Sequence, residues 1–375
     1  MKLAFDAKRI THNGTGLGNY SRFIVNALAD RFPNNSYHLY SPDKGKDYLR
    51  ALVPEGENVM YHYPESTPLG ALSKDWWRTY GIVRDLKSEM PDVYHGLSNE
   101  LPFGLAKAGI PSVVTIHDLI FVRYPQFYKP IDRAIYNFKF RRACRIADKV
   151  VAVSEMTKKD IIHIYNVPEE KIEVVYQGCN ASFAQPIEQD KLWEVKHRYH
   201  LPDVFVLNVG SIEARKNLLF IVKALKGKDI PLVAIGKRTP YADVVEQYVR
   251  ENNMEGQVTL LSNIPHEDLP AIYRLASLFV YPSLFEGFGI PILEALNSGT
   301  PVIAATGSCL EEAGGPDSVY VNPEDVNDLS EKINWILTTP TQSEHIREAG
   351  REYAKRFLDG AIAQDMMDIY RRITS

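Results

Sequence analysis

Two glutamates, Glu286 and Glu294, stand eight positions apart in the stretch Phe285-Glu286-Gly287-Phe288-Gly289-Ile290-Pro291-Ile292-Leu293-Glu294. The apolar run Leu278-Phe279-Val280-Tyr281 before it reads as a buried strand. Gly287 and Gly289 allow a ligand to approach the backbone closely. Pro291 suits a first helical position, where its missing N–H would be unpaired anyway. The pattern predicts Glu286 in a loop at a strand's carboxyl end and Glu294 in the first turn of the next helix. A helix N-terminus favours anions, and two carboxylates beside it suit the hydroxyls of a sugar or ribose. Phosphate and polyol in one ligand describe a nucleotide sugar. The spacing alone is met equally well by a helix-terminal acid and a solvated loop acid.

Other residues bear on the choice. In Val206 to Asn217 a strand ends at Gly210 and Arg215-Lys216 follows before a helical stretch. An Arg fork and a Lys point charge could neutralise a pyrophosphate, including charge that develops on it as it leaves. The N-terminal loop Asn13-Gly14-Thr15-Gly16-Leu17-Gly18-Asn19-Tyr20 lies between a strand and a helix. Its glycines run G-x-G-x-G, not the dinucleotide pattern, and no acidic residue ends a clear second strand downstream. It can still present N–H groups to a phosphate, or be a tight turn that needs glycine. His117 and Asp118 follow the run Val114-Thr115-Ile116, where an imidazole can donate to a sugar hydroxyl or fill a core position. His95 in Tyr94-His95-Gly96 is a weaker version of the same signal. Trp76-Trp77-Arg78 and the stretch Arg133, Lys139, Arg141, Arg142, Arg145 mix basic and aromatic residues. They read as a solvated face, or as a grip on lipid headgroups or a lipid-pyrophosphate. No HExxH or strand-end Asp-x-Asp suggests a metal site, and no GxSxG elbow or catalytic Cys/His signature is present.

These residues need a scaffold. A chain of 375 residues is long for one core, and two domains are expected. The apolar fraction of 45% and net charge of −4 fit an ordinary globular protein with no general pull toward nucleic acid. Three separated cysteines fit a reducing compartment, and no apolar run is long enough to span a membrane. The chain reads as cytoplasmic. Short apolar runs, among them Leu3–Phe5, Val113–Ile116, Lys149–Val153, Val204–Val209, Leu232–Ile235, Val258–Leu261, Val302–Ala304 and Val319–Val321, alternate with helical patterns. That order predicts α/β architecture with parallel sheets, in one series before about residue 180 and another after about residue 200. The polar segment Asn180 to Pro202 reads as a linker.

Together the motifs GTGLGNY, GSIEARKN, FEGFGIPILEA and Ser298-Gly299-Thr300-Pro301-Val302-Ile303-Ala304 resemble the family 4 retaining glycosyltransferases of GT-B fold. Val153–Thr157 and Val174–Gly178 are similar to that family's pattern as well, so the likeness covers nearly the whole chain. The resemblance implies two Rossmann-like domains facing across a cleft. Residues 1–182 and 356–375 would bind the acceptor, residues 183–355 the nucleotide sugar, and the last helix, Ala361 to Ile373, would cross back to the first domain. Arg215 and Lys216 would hold the pyrophosphate, with Gly210 beside them, Glu286 the donor sugar's hydroxyls and Glu294 the ribose. Amides around Phe288, Gly289 and Ile290 would face sugar or phosphate. Gly16 and Gly18 would approach the diphosphate, and His117 would reach the donor sugar. No metal cofactor is implied.

By the same resemblance, the acceptor hydroxyl attacks from the face the phosphate leaves, and the departing phosphate takes its proton. A two-step route through a carboxylate nucleophile has no clearly placed residue. The segment Val113 to Tyr124 looks most like bacterial mannosyltransferases that build O-antigen or capsule chains, which favours GDP-mannose as donor and a lipid-linked saccharide as acceptor. Contact with the inner membrane face would then be peripheral. A sugar-nucleotide epimerase of similar fold and a non-catalytic nucleotide-sugar-binding subunit are the rival expectations. Two departures stand out: Gln177-Gly178 where the family often has Asn-Gly, and Cys309-Leu310-Glu311-Glu312 where Leu-Pro-Glu is commoner.

Overall fold

The computed structural model describes residues 1–64 and 74–375. The chain divides into two compact units, Met1–Gly178 with Phe357–Ser375, and Cys179–Arg356.

Among the described residues, the first unit carries one sheet of seven strands. They are β1 (Lys2–Asp6), β2 (Ser36–Tyr40), β3 (Val59–His62), β4 (Val93–Gly96), β5 (Ser112–Ile116), β6 (Lys149–Ala152) and β7 (Ile172–Val174), in the order β3-β2-β1-β4-β5-β6-β7. All its pairings are parallel. β4 and β5 are buried along their whole length, as strands covered on both faces must be. Val114, Ile116, Val150 and Ile161 share the core with Leu86 and Leu105. Helix Glu155–Tyr165 starts where Ser154 Oγ accepts the Thr157 N–H at 3.0 Å, a side-chain cap that sets its first turn.

The second unit holds β8 (Val206–Val209), β9 (Leu232–Ile235), β10 (Val258–Leu261), β11 (Leu278–Tyr281), β12 (Val302–Ala305) and β13 (Val319–Val321), in the order β10-β9-β8-β11-β12-β13. These pairings are parallel too. In both sheets the strand order reverses beside the first strand, between β1 and β4 and between β8 and β11. Doubly wound sheets bind ligands outside the strands' carboxyl ends at that reversal.

Two expectations are corrected. A second strand does follow the glycine segment. β2 and β3 are rich in Tyr and His, and His38 Nδ1 meets His62 Nε2 at 2.9 Å, so polar side chains fill positions where an apolar run was sought. Asp43 lies just past β2, paired with His12 at 2.8 Å and Lys74 at 2.6 Å. The supposed linker contains helix Gln189–Arg198, which packs on helix Leu269–Leu275. Its polar composition is that of an exposed helix with one fully buried residue, Val195, and it is tied down by Asp268. That carboxylate takes Arg198 at 2.6 Å, Lys191 at 2.9 Å and the Tyr199 hydroxyl at 2.6 Å.

The last helix, Asp359–Thr374, belongs to the first unit and packs on helix Gly16–Arg31. A buried polar chain fastens it: Tyr370 Oη meets His95 Nδ1 at 2.7 Å, His95 Nε2 meets Thr115 Oγ1 at 2.9 Å, and Thr115 meets Tyr20 Oη at 3.0 Å. Burial, with His117 nearby, pushes His95 down to about 3, so the ring is neutral. Tyr370→Phe would leave a buried ring nitrogen unpaired. The expected loss is about 1–3 kcal/mol in urea unfolding of the full chain, and an unchanged midpoint would assign the anchoring to the ring alone.

Candidate active site

The reversal point of the second sheet gathers most of the residues singled out above. β8 ends at Val209, and Gly210 has φ +154°. A Cβ there would lie 2.9 Å from Lys216 Cδ, so the glycine lets Lys216 fold back over the strand end. The loop after β11 is fastened to the loop after β8 by the Leu284 N–H, which donates to the Arg215 carbonyl at 2.9 Å.

Glu286 is the hub. Its Oε1 lies 2.8 Å from Arg215 Nη1 and 3.2 Å from Lys216 Nζ. It also accepts from the Ser283 hydroxyl at 2.8 Å and the Tyr281 hydroxyl at 3.0 Å. Lys216 in turn donates to Tyr281 Oη at 2.7 Å. Arg215 is held further by Glu213 at 2.9 Å and by the Phe285 carbonyl. The side chains of Arg215, Lys216 and Glu286 are only 14–15% exposed. Burial alone would raise the Glu286 carboxyl, but Lys216 and Arg215 together hold it down at about 2. The same pairing holds Arg215 and Lys216 above their ordinary range despite burial. Among the described residues, Oε2 of Glu286 has no hydrogen-bond partner.

Glu294 sits in a different environment. It lies in the second turn of helix Ile290–Ser298, not the first, because the helix opens at Ile290 with Pro291 second and no acid in its first turn. That removes the helix-terminal-acid alternative. Its Oε2 accepts from Tyr273 Oη at 2.8 Å, and burial pushes the carboxyl up to about 7. Gly289, at φ +140°, forms the turn into the helix, and Phe288 is 2% exposed. The buried Cys309 thiol lies 3.0 Å from both the Glu286 and Phe288 carbonyls, and so braces the loop that presents the hub. Gly210, Arg215, Lys216, Glu286, Phe288, Gly289, Ile290 and Glu294 are thus brought to one end of one sheet.

Gly16, Gly18 and His117 belong to the first unit. The two glycines lie inside the first turn of helix Gly16–Arg31, not in a loop before it. A Cβ on Gly18 would lie 1.8 Å from the Asn13 carbonyl oxygen, so close backbone packing alone requires that glycine. A Cβ on Gly16 would meet nothing within 4 Å, which leaves its surroundings open to a ligand. His117 follows β5 and is buried. Its Nε2–H donates to the Leu97 carbonyl at 2.9 Å, and Nδ1 accepts from Gln177 Nε2 at 3.0 Å, the tautomer these partners require. Burial lowers it to about 4, so it is neutral. Both ring nitrogens are engaged in the ligand-free protein, Nε2 with Leu97 and Nδ1 with Gln177.

Sequence reasoning missed Tyr281, Ser283 and Tyr273, and marked Cys309 and Gln177 only as departures from the family's pattern. Tyr281 carried a signal, as the one hydroxyl at the carboxyl end of an apolar strand. Tyr273 carried none, since it reads as a core residue of its helix.

Comparison with known proteins identifies the chain as a glycosyltransferase. The chain belongs to the family 4 and group 1 glycosyltransferases: residues 14–183 match the model described as Glycosyltransferase Family 4, and residues 190–353 the one described as Glycosyl transferases group 1. It is 29% identical to the O-antigen chain mannosyltransferase B of Escherichia coli over 95% of this chain and 96% of that one. It is 31% identical to the O-antigen chain mannosyltransferase RfbU of Salmonella typhimurium over 60% of this chain and 61% of that one. Its fold superposes on HepE of Anabaena in complex with UDP-glucose with a TM-score of 0.77, at 18% identity, covering 99% of this chain and all of that one. The fold is GT-B.

Glu286→Gln would leave buried Lys216 without a carboxylate and Arg215 with Glu213 alone. It is expected to lower stability by about 3 kcal/mol in chemical denaturation of the ligand-free protein. Glu294 predicts a pH effect of opposite cause. Its folded carboxyl holds a proton more tightly than the unfolded one, so its contribution to stability is complete below the ordinary value of 4.5 and is lost as pH rises toward about 7. Glu294→Gln should flatten the fall in Tm across that window, and an identical slope in the variant would refute the assignment.

Proposed function

We propose that the chain is a retaining mannosyltransferase that moves mannose from GDP-mannose to a hydroxyl of a lipid-linked saccharide, in cell-surface polysaccharide synthesis at the cytoplasmic face of a membrane. The observation that carries the reading is the buried pair Arg215 and Lys216 at the strand reversal, held by Glu286 and, for Arg215, also by Glu213. A diphosphate arriving there meets two fixed cations that need no reorganisation. The names of the relatives support mannose as the sugar.

In this reading the C1–phosphate bond of the donor breaks while the acceptor oxygen bonds to C1 on the same face. The acceptor's proton passes to the departing phosphate oxygen. Arg215 and Lys216 stabilise the charge that grows on the leaving group. Glu286, ionised and clamped on Oε1, offers Oε2 to the sugar's hydroxyls. Its depressed carboxyl suits hydrogen-bond acceptance, not proton abstraction. Glu294 offers its second oxygen to ribose hydroxyls, and the turn Phe288-Gly289-Ile290 brings backbone close to sugar or phosphate. Gly16, with open space at its Cα, and Gly18 give the first unit's helix N-terminus to a phosphate. His117 contacts the donor sugar by handing its Nε2–H from the Leu97 carbonyl to a hydroxyl. In this reading no metal ion takes part.

A thermal-shift screen with GDP-mannose, UDP-glucose, UDP-N-acetylglucosamine and UDP-galactose tests the donor. A donor at about 100 times its Kd should stabilise the protein by about 2.7 kcal/mol. GDP-mannose is expected to raise Tm, and a response to uridine sugars alone would overturn it. Lys216→Ala is expected to cut transfer by roughly a hundredfold or more, and undiminished transfer would overturn the role given to Lys216.

A further inference from the structure

Several strand-end segments of the first unit converge on His117. Its backbone N–H donates to Asn99 Oδ1 at 2.8 Å, and its carbonyl accepts from Thr157 Oγ1 at 3.3 Å, so the chain is held on both sides of the ring. Leu97 and Asn99 follow β4, Thr157 lies in helix Glu155–Tyr165, and Tyr20 lies in helix Gly16–Arg31. The Tyr20 ring stands at 90° to the imidazole with centroids 4.6 Å apart, and its hydroxyl is itself tied to Thr115. Gln177, just beyond β7, supplies the remaining contact, from its Nε2 to Nδ1 at 3.0 Å.

The two ring partners are unequal. A carbonyl only accepts, so the bond to Leu97 requires the proton on Nε2. In the neutral ring Nδ1 is then bare and takes a donor, which the Gln177 amide supplies. Burial, and Arg9 nearby, disfavour a second proton on the ring. While Leu97 is engaged, its carbonyl fixes the tautomer by itself. Once Nε2–H passes to a sugar hydroxyl that constraint is gone, because a hydroxyl both donates and accepts and so fits either tautomer. Gln177 is then what keeps Nδ1 bare and the proton on Nε2. A carboxylate in its place would draw a proton onto Nδ1 and make an imidazolium, whereas the amide leaves a neutral donor. The mounting is rigid. Gln177 is buried, and a Cβ on the next residue, Gly178, would lie 2.3 Å from Phe23 Cζ and 2.9 Å from the Phe357 carbonyl oxygen, so the backbone there is pinned on both sides.

We propose that Gln177 is a positioning residue of the donor-sugar site: it fixes the His117 imidazole as an Nε2–H donor, so that a hydroxyl of the transferred sugar meets a hydrogen-bond donor and not a bare nitrogen. This role rests on the reading of His117 as a sugar contact and adds the residue through which that contact is set. Gln177 itself touches no reacting atom.

NMR of the full chain with nitrogen-labelled histidine reads the tautomer directly, the His117 signal being the one lost in His117→Ala. The wild type is expected in the Nε2–H form, both alone and saturated with whichever nucleotide sugar of the donor screen stabilises it. Gln177→Leu should keep that form alone, held by Leu97, and show the Nδ1–H form once the nucleotide sugar is bound. Its affinity for the nucleotide sugar should fall about tenfold, the loss expected for one hydrogen bond, while its affinity for the bare nucleoside diphosphate stays unchanged. Gln177→Glu should raise the His117 titration midpoint by roughly 1–3 pH units, since a carboxylate favours the imidazolium. A wild-type ring protonated on Nδ1 overturns the proposal, as does a Gln177→Glu midpoint that stays in place. So does a Gln177→Leu variant that binds both ligands like the wild type, or one that loses Tm and both affinities together, the mark of a packing role. If His117→Ala transfers sugar undiminished, the role given to His117 in the transferase reading fails and this one with it. If His117→Ala is impaired and Gln177→Leu is not, only the role of Gln177 fails.

Discussion

Two cations held out of water at the end of a parallel sheet need an anion, and the second unit is arranged around supplying one. Glu286 can meet both Arg215 and Lys216 only because β8 and β11 are neighbours although widely separated in sequence. Gly210 clears the way for Lys216, the two loops share a backbone hydrogen bond, and Cys309 braces the carbonyls on either side of Gly287. An isolated buried charge would be far too costly, so the cluster must form as a whole. Both bases stay close enough to the strand ends to meet an incoming phosphate in place of the Glu286 and Glu213 carboxylates.

The first unit repeats the device with different residues. Arg78 is clamped by Asp6 from β1 and by Glu100 from the segment after β4, again across the reversal. In both units the doubly wound order brings one loop's acid to another loop's base. What differs is the surrounding chemistry: tyrosine and serine hydroxyls around Glu286, and a row of exposed rings beside Glu100. One scaffold thus carries two differently lined charge clusters without any change of architecture.

Legibility in the sequence followed how apolar each element is. β8, β11 and β12 are short, nearly pure apolar runs, and their positions were plain. β2 and β3 were hidden because Tyr37, His38, Tyr61 and His62 do inside the sheet what Val or Ile would ordinarily do. The helix Gln189–Arg198 was hidden because one buried valine gives no periodicity, and the charges that fix it are paid back by Asp268, a residue far along the chain. At the site, Arg215, Lys216, Glu286 and Glu294 were legible from their types and spacing. The roles of Tyr281, Tyr273, Cys309 and Gln177 were not, because each depends on which strands lie side by side. For His117 the residue was found but its hydrogen bonds were not, since Leu97 and Gln177 are remote in sequence.

The last helix has a consequence for how the protein is made. A ribosome releases the second unit's residues, Cys179–Arg356, as one uninterrupted piece, so that unit can complete its core while synthesis continues. The first unit is begun earlier but lacks Phe357–Ser375 until the second unit has been made. Until Tyr370 emerges, His95 waits in a half-built interior with one ring nitrogen unmet. The part of the protein translated first is therefore the part that finishes last. Its nascent form carries an uncovered face on helix Gly16–Arg31 throughout synthesis of the second unit.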